Sequence, residues 1–204
     1  MCRLLLALAL LPLACLTVQA QQASALTFGL KGGASLTSLT NRNLQSSRYL
    51  WGFHAGLTGN HAFSSSFSLQ AEALYSQKGV RDDVSAGGNN YAQRLRLQYL
   101  DLPVLVRFRA KGPYFEVGPQ LGVLLTARDH SELPGYGAND ETVTDSYHRV
   151  EVGVVSSIGY QLASGPGIGL RTNVGLLNVP KNSYSSAAVR NNAFQLYLIY
   201  QFPQ

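Results

Sequence analysis

Charged side chains recur on one parity of segments whose other parity is apolar. Lys31, Glu72, Lys78, Arg94, Arg96, Glu116, Glu151 and Arg171 all sit this way, with the two signs in similar number. Two chemistries fit such a set. On a sheet face in water the charges are simply solvated. Inside a closed barrel they must pair, because a charge removed from water persists only beside an opposite charge and hydrogen-bond partners. On the barrel reading, Lys31, Glu72, Arg94, Arg96, Glu116, Glu151 and Arg171 form a candidate polar network in the lumen.

Other chemistry finds little support. The histidines are His54, His61, His130 and His148. His54 lies on a polar strand face and reads as a packed side chain, and His61 lies at a short break between segments. His130 and His148 flank the longest polar stretch, with Asp129, Glu132, Asp140, Glu141 and Asp145. These carboxylates lack the spacing of a calcium loop, so a solvated loop is expected. Gly29, Gly32 and Gly33 precede no helix and cannot cradle a phosphate. No Ser-His-Asp set stands out by spacing. The expectation is no catalytic residue, no metal site and no cofactor.

The elements that must position the charges are eight segments with apolar residues at every second place, the mark of half-buried strands. They cover 27–35, 51–60, 67–78, 91–109, 114–125, 150–162, 168–174 and 194–202. In the third, Phe67, Leu69, Ala71, Ala73 and Tyr75 oppose Ser68, Gln70, Glu72, Ser76 and Lys78. Polar stretches at 36–50, 79–90, 128–146 and 177–191 alternate with breaks of a few residues at 60–64, 110–113 and 163–166. An antiparallel sheet with that alternation gathers its long connections at one end, as outer-membrane barrels do. Aromatics near strand ends, among them Phe28, Trp51, Phe67, Tyr160 and Phe202, suit interfacial girdles.

The fourth segment shifts parity partway. Leu95, Leu97 and Tyr99 are odd, whereas Leu100, Leu102, Val104, Val106 and Phe108 are even. One extra residue in a β-bulge would produce this shift, and Pro103, which donates no ladder hydrogen bond, is tolerated there. A bulge near 99–103 is expected.

Residues 1–20 read as a cleaved export signal: Arg3, an apolar run at 4–13, and the small residues Val18 and Ala20 before the cut. Pro12 disfavours a lipidated cut before Cys15. Both cysteines, Cys2 and Cys15, fall inside this leader, so the barrel domain 21–204 would carry no thiol. Charged residues make up 13% of the chain, about half the share usual in soluble proteins. The net charge of +5 is scattered, whereas nucleic-acid binding would want a clustered basic face.

Several stretches resemble the PorT-type family of small outer-membrane β-barrel proteins. They are Phe28-Gly29-Leu30-Lys31-Gly32-Gly33, the run from Leu69 to Gly79, Tyr99-Leu100-Asp101-Leu102-Pro103-Val104-Leu105, and Tyr114-Phe115-Glu116-Val117-Gly118-Pro119. The most specific is the tyrosine–leucine–acidic–leucine–proline stretch. The resemblance implies an eight-stranded barrel in the outer membrane, and some relatives are associated with protein secretion.

The expectation is therefore an all-β, eight-stranded, antiparallel up-and-down transmembrane barrel that follows a cleaved signal peptide. It would be a monomeric, non-enzymatic protein in outer-membrane lipid, an accessory of a protein-export assembly or a structural or adhesive membrane protein, with protein partners reached through external loops. The alternative is a soluble periplasmic barrel, like a lipocalin, with its apolar face turned inward around a ligand.

Overall fold

The period-two patterning becomes one antiparallel sheet closed on itself. The structure is a computed structural model that describes residues 26–40, 47–86, 89–133, 137–181 and 188–203. The expected leader lies outside the described residues. The strands are β1 (Leu26–Thr40), β2 (Ser47–Arg48), β3 (Leu50–Ala62), β4 (Phe67–Ala86), β5 (Asn89–Arg109), β6 (Pro113–Leu133), β7 (Gly137–Thr142), β8 (Val150–Gln161), β9 (Pro166–Gly175) and β10 (Arg190–Gln201).

Eight of these strands form the wall. Each pairs with its neighbour in the chain, and β1 pairs with β10 to close the ring. The short strands β2 and β7 extend the wall, β2 pairing with β4 beyond β3 and β7 pairing with β6 beyond β8. Closure leaves the wall without an edge strand, so every wall strand is hydrogen-bonded on both sides, the condition for crossing lipid as a sheet.

Three tight connections, at 63–66, 110–112 and 162–165, lie at one end, while at the other end the long hairpin of β4 and β5 carries its pairing out to Ala86 and Asn89. Phe63 and Ser64 donate their backbone N–H groups to Phe67 C=O, and Ala110 donates to Pro113 C=O. In that second turn Lys111 has φ 46°, an unusual conformation for a side-chain-bearing residue, followed by Gly112 at 127°.

The faces settle the choice between membrane and soluble barrel. Outward positions carry Phe28, Leu30, Trp51, Leu57, Val106, Leu121, Ile158, Leu170, Phe194 and Leu198, all exposed, while inward positions carry the buried charges. A lipocalin-like barrel requires the reverse, so that alternative is set aside. The outward apolar run on β5 spans Leu100 to Phe108, on β6 Phe115 to Leu125, and on β10 Phe194 to Phe202. Nine to eleven tilted residues is what a membrane crossing needs. Aromatic rings crowd the short-turn end of this band, with Phe67 and Phe108 centroids 5.2 Å apart and Tyr200 and Phe202 at 5.5 Å.

Two expectations need correction. The stretches 79–90 and 128–146 are largely strand rather than loop: β4, β5 and β6 reach 20, 21 and 21 residues, about twice a membrane crossing, and β7 folds back on β6. The parity shift in β5 is also not a bulge in β5. Its inward residues stay odd from Leu95 to Arg107, and only the chemistry of the two faces changes. The extra residue lies on β6, where Gln98 pairs with Thr126 but Tyr99 with Leu124, leaving Leu125 over. The β6 inward set moves there from even numbers to Ala127.

The face assignment gives a direct test. Leu121 is an exposed outward residue near the middle of the apolar band. Leu121→Arg should destabilise the inserted barrel by about 2–4 kcal/mol. Folding into vesicles, followed by heat-modifiable gel mobility, will report it; normal insertion would reverse inside and outside.

Candidate functional site

The lumen is filled by ionised side chains stacked in two groups. Among the described residues, the buried charges are four cations (Lys31, Lys78, Arg107, Arg171) and four carboxylates (Glu72, Asp101, Glu116, Glu151). The interior is therefore formally neutral.

Glu72 of β4 is the hub of the lower group. Arg171, from β9 across the barrel, holds it with both ends of its fork, Nη1 to Oε2 at 2.7 Å and Nη2 to Oε1 at 2.9 Å. Lys31 Nζ of β1 donates to the same carboxylate at 2.5 Å, and Gln70 Nε2 at 2.6 Å. Glu116 of β6 sits further off, 3.3 Å from Arg171 Nη2 and 3.9 Å from Lys31 Nζ. Arg107 Nε lies 3.2 Å from Glu116 Oε1, near enough for Coulomb attraction but not aligned as a hydrogen bond. Its Nη1 instead donates to Gln70 Oε1 at 3.0 Å.

Two tyrosines carry the cations on their faces. The Arg107 guanidinium lies 3.9 Å from the centre of the Tyr114 ring, and Lys31 Nζ 4.3 Å from that of Tyr197. The two hydroxyls meet at 2.9 Å. Their rings fit because Gly159 and Gly169, paired across β8 and β9, both face inward. A Cβ on Gly159 would stand 2.4 Å from the Tyr114 ring, and one on Gly169 2.5 Å from Tyr197. The sequence signal for these glycines is their period-two placement on strands that neighbour Tyr114 and Tyr197. His54 lies nearby, with Nδ1 3.0 Å from Ser35 Oγ.

The upper group centres on Lys78, held by Asp101 at 3.1 Å and Glu151 at 2.9 Å. Asn191 Nδ2 donates to Glu151 at 2.5 Å, and the Tyr99 ring lies 4.8 Å from the ammonium. Above it the interior turns apolar: Leu39, Val80, Leu95, Leu97, Leu124, Ala127 and Val179 pack together, with Val143 and Tyr147 against them. Val179 follows β9 and is held where His148 N–H donates to its C=O at 2.9 Å. Thr144, on a 3₁₀ turn, is also fastened: its Oγ1 accepts from Ala127 N–H at 3.0 Å.

Of the seven residues expected in the lumen, the structure brings together Lys31, Glu72, Glu116 and Arg171, and places Glu151 in the upper group. Arg94 and Arg96 stand apart. They point outward above the apolar band, because β5 keeps its parity while its outer surface changes from lipid-facing to water-facing. Asp101 and Arg107 are lumen groups beyond the seven expected, and both alternate with the apolar run from Leu100 to Phe108. Among the described residues, no cluster of His, Cys, Asp and Glu could hold a metal ion.

An antiparallel eight-stranded wall, apolar outside and ionic within, defines an outer-membrane β-barrel. Residues 19–180 match the family described as outer membrane protein beta-barrel domain, and the chain belongs to it. It is an outer-membrane protein of a Gram-negative bacterium. No curated protein matches the sequence. Solved structures that resemble it include Ail, the attachment invasion locus protein of Yersinia pestis (11% identity, 87% of this chain and 99% of that one, TM-score 0.49). OprG from Pseudomonas aeruginosa is another (11%, 89% and 98%, 0.46), as is the outer membrane protease OmpT of Escherichia coli (12%, 88% and 94%, 0.40). At these identities nothing about activity transfers.

The geometry ranks the two lower carboxylates. Glu72→Gln leaves Arg171 and Lys31 facing a neutral amide, and breaking a buried pair typically costs about 3–5 kcal/mol. Glu116→Gln should cost less, since Lys31 and Arg171 keep Glu72 and Arg107 keeps its hydrogen bond to Gln70. Urea unfolding of both variants in vesicles will measure the order; equal losses would contradict Glu72 as the hub.

Proposed function

We propose that this protein is a non-enzymatic, non-conducting barrel whose working part is the sheet extension above the membrane band, serving as a docking surface for a protein partner. The observation that carries this reading is the length of β4, β5 and β6, twice what crossing requires, with β7 added to their end. A barrel needed only as a membrane anchor has no use for that excess, and function concentrates on such projections. By the usual asymmetry of these barrels, short turns are periplasmic and long connections external, so the extension faces outward.

The charged groups and apolar cap that fill the lumen support a closed interior. The resemblance to PorT-type proteins favours an accessory of a protein-export assembly. On this reading residues 1–20 are removed on export, the barrel is a monomer, and outer-membrane lipid is its solvent.

The register gives clean shortenings. His130 pairs with Asp140, so an Asn-Gly turn can replace 131–139; Asp82 pairs with Gln93, so another can replace 83–92. Thr142, Val143 and Thr144 stay in place. Both shortened proteins should keep heat-modifiable mobility and open no channels in planar bilayers. At least one should lose complementation of the null strain and co-purification of its partner. Full complementation by both would refute the docking role.

A further inference from the structure

The outer face of the β5–β6 extension holds a cluster that neither the barrel interior nor the apolar cap uses. In the ladder Arg96 stands directly opposite Arg128, and Arg94 opposite His130. Like charges directly opposite one another destabilise an antiparallel pair. The lumen avoids this: each buried cation there lies beside a carboxylate. Among the described residues, by contrast, Arg94, Arg96 and Arg128 make neither an ion pair nor a side-chain hydrogen bond. The three arginines line a groove of about 470 Å³ with His130, Asp140, Glu141 and Thr142. Asp140 is taken by His130 at 2.6 Å, and Glu141 pairs in register with Asp129 rather than with an arginine. With three arginines against two carboxylates, the groove keeps a net positive surface.

Its height narrows what that surface meets. Arg96 lies four residues beyond Leu100, the last outward apolar residue of β5, and Arg128 three beyond Leu125 on β6. At about 3.3 Å per residue and a tilt of about 45°, their backbones stand roughly 7–9 Å above the apolar band. The headgroup layer reaches about 5–7 Å beyond the hydrocarbon, so the long arginine side chains extend back into it from its outer edge.

We propose that this groove binds the phosphate of an anionic lipid headgroup in the surrounding leaflet. Arg96 and Arg128 offer two guanidinium forks from facing strands, the geometry that suits phosphate oxygens. Arg94 adds a third charge, and Thr142, in register with Arg128, adds a hydroxyl. The ligand neutralises the repulsion that the bare ladder carries. Binding goes beyond the docking role proposed above; only the choice of the outer leaflet rests on the orientation given there.

The test uses the folded barrel in detergent micelles doped with phosphatidic acid or phosphatidylcholine, with retained lipid counted by native mass spectrometry. Wild type should retain phosphatidic acid preferentially. R96Q/R128Q should lose that preference at least five-fold, while R149Q, at an exposed arginine outside the groove, should keep it. In phosphatidylcholine alone the double variant should show a heat-modifiable transition no lower than wild type, since a like-charge pair has been removed. Four results would each overturn the proposal: no preference in wild type, unchanged retention by R96Q/R128Q, equal loss in R149Q, or a lowered transition in the double variant. Displacement of phosphatidic acid by equimolar inorganic phosphate would overturn the lipid assignment. Complementation by the shortened hairpins reports the docking role separately, so the two proposals can fail independently.

Discussion

The pairing of Glu72 with Arg171 and Lys31 is the constraint on which the rest of the barrel depends. The three residues come from β4, β9 and β1, separate parts of the wall, and meet at one carboxylate. An eight-stranded barrel is just narrow enough for side chains to fill it. In lipid the outside must be apolar, so polarity has only the inside to occupy, and charge placed there must be matched. Four cations against four carboxylates meet that requirement.

Why the lumen is ionic rather than apolar does not follow from stability alone, because well-packed apolar side chains often serve as well as a buried ion pair. Register supplies a reason. A one-residue slip of any strand exchanges its two faces. In a barrel apolar on both sides such a slip would cost little. Here it would send Glu72 or Arg171 into lipid and bring Leu69 or Leu170 into an ionic interior. The contrast between faces is therefore what specifies the pairing. Gly159 and Gly169 sharpen it further, since only glycine at those inward places lets Tyr114 and Tyr197 lie flat beneath the cations.

Much of this was legible in the sequence because a membrane barrel writes its wall as simple alternation. The eight segments, the outward apolar faces of β1, β3, β6, β8, β9 and β10, and the placement of Lys31, Glu72, Glu116, Glu151 and Arg171 on the polar parity could all be read without coordinates. What could not be read is instructive. Polar composition at 79–86 and 128–133 suggested loops, yet those residues are strand, because the ladder continues wherever a neighbour supplies hydrogen bonds, whatever the side chains. Arg94 and Arg96 were assigned inward because they oppose leucines, on the assumption that the apolar parity always faces out.

That assumption holds only inside the membrane. Along β5 the backbone alternates without interruption, and the environment on each side changes instead. Below Tyr99 the outer neighbour is lipid and the lumen is ionic; above it the outer neighbour is water and the interior is the apolar cap of Leu95, Leu97 and Leu124. The strand obeys one rule throughout, that each face matches what it touches, so its sequence pattern inverts at the membrane surface. A parity switch in a barrel strand thus has two physical meanings: an extra residue in the chain, as at Leu125 on β6, or a boundary between solvents, as on β5. The partner register separates them: a bulge shifts the pairing on the strand that carries it, whereas a solvent boundary leaves that strand's inward parity unbroken. The two coincide here at one level of the barrel, where the wall leaves the lipid and begins to build an ordinary water-facing sheet.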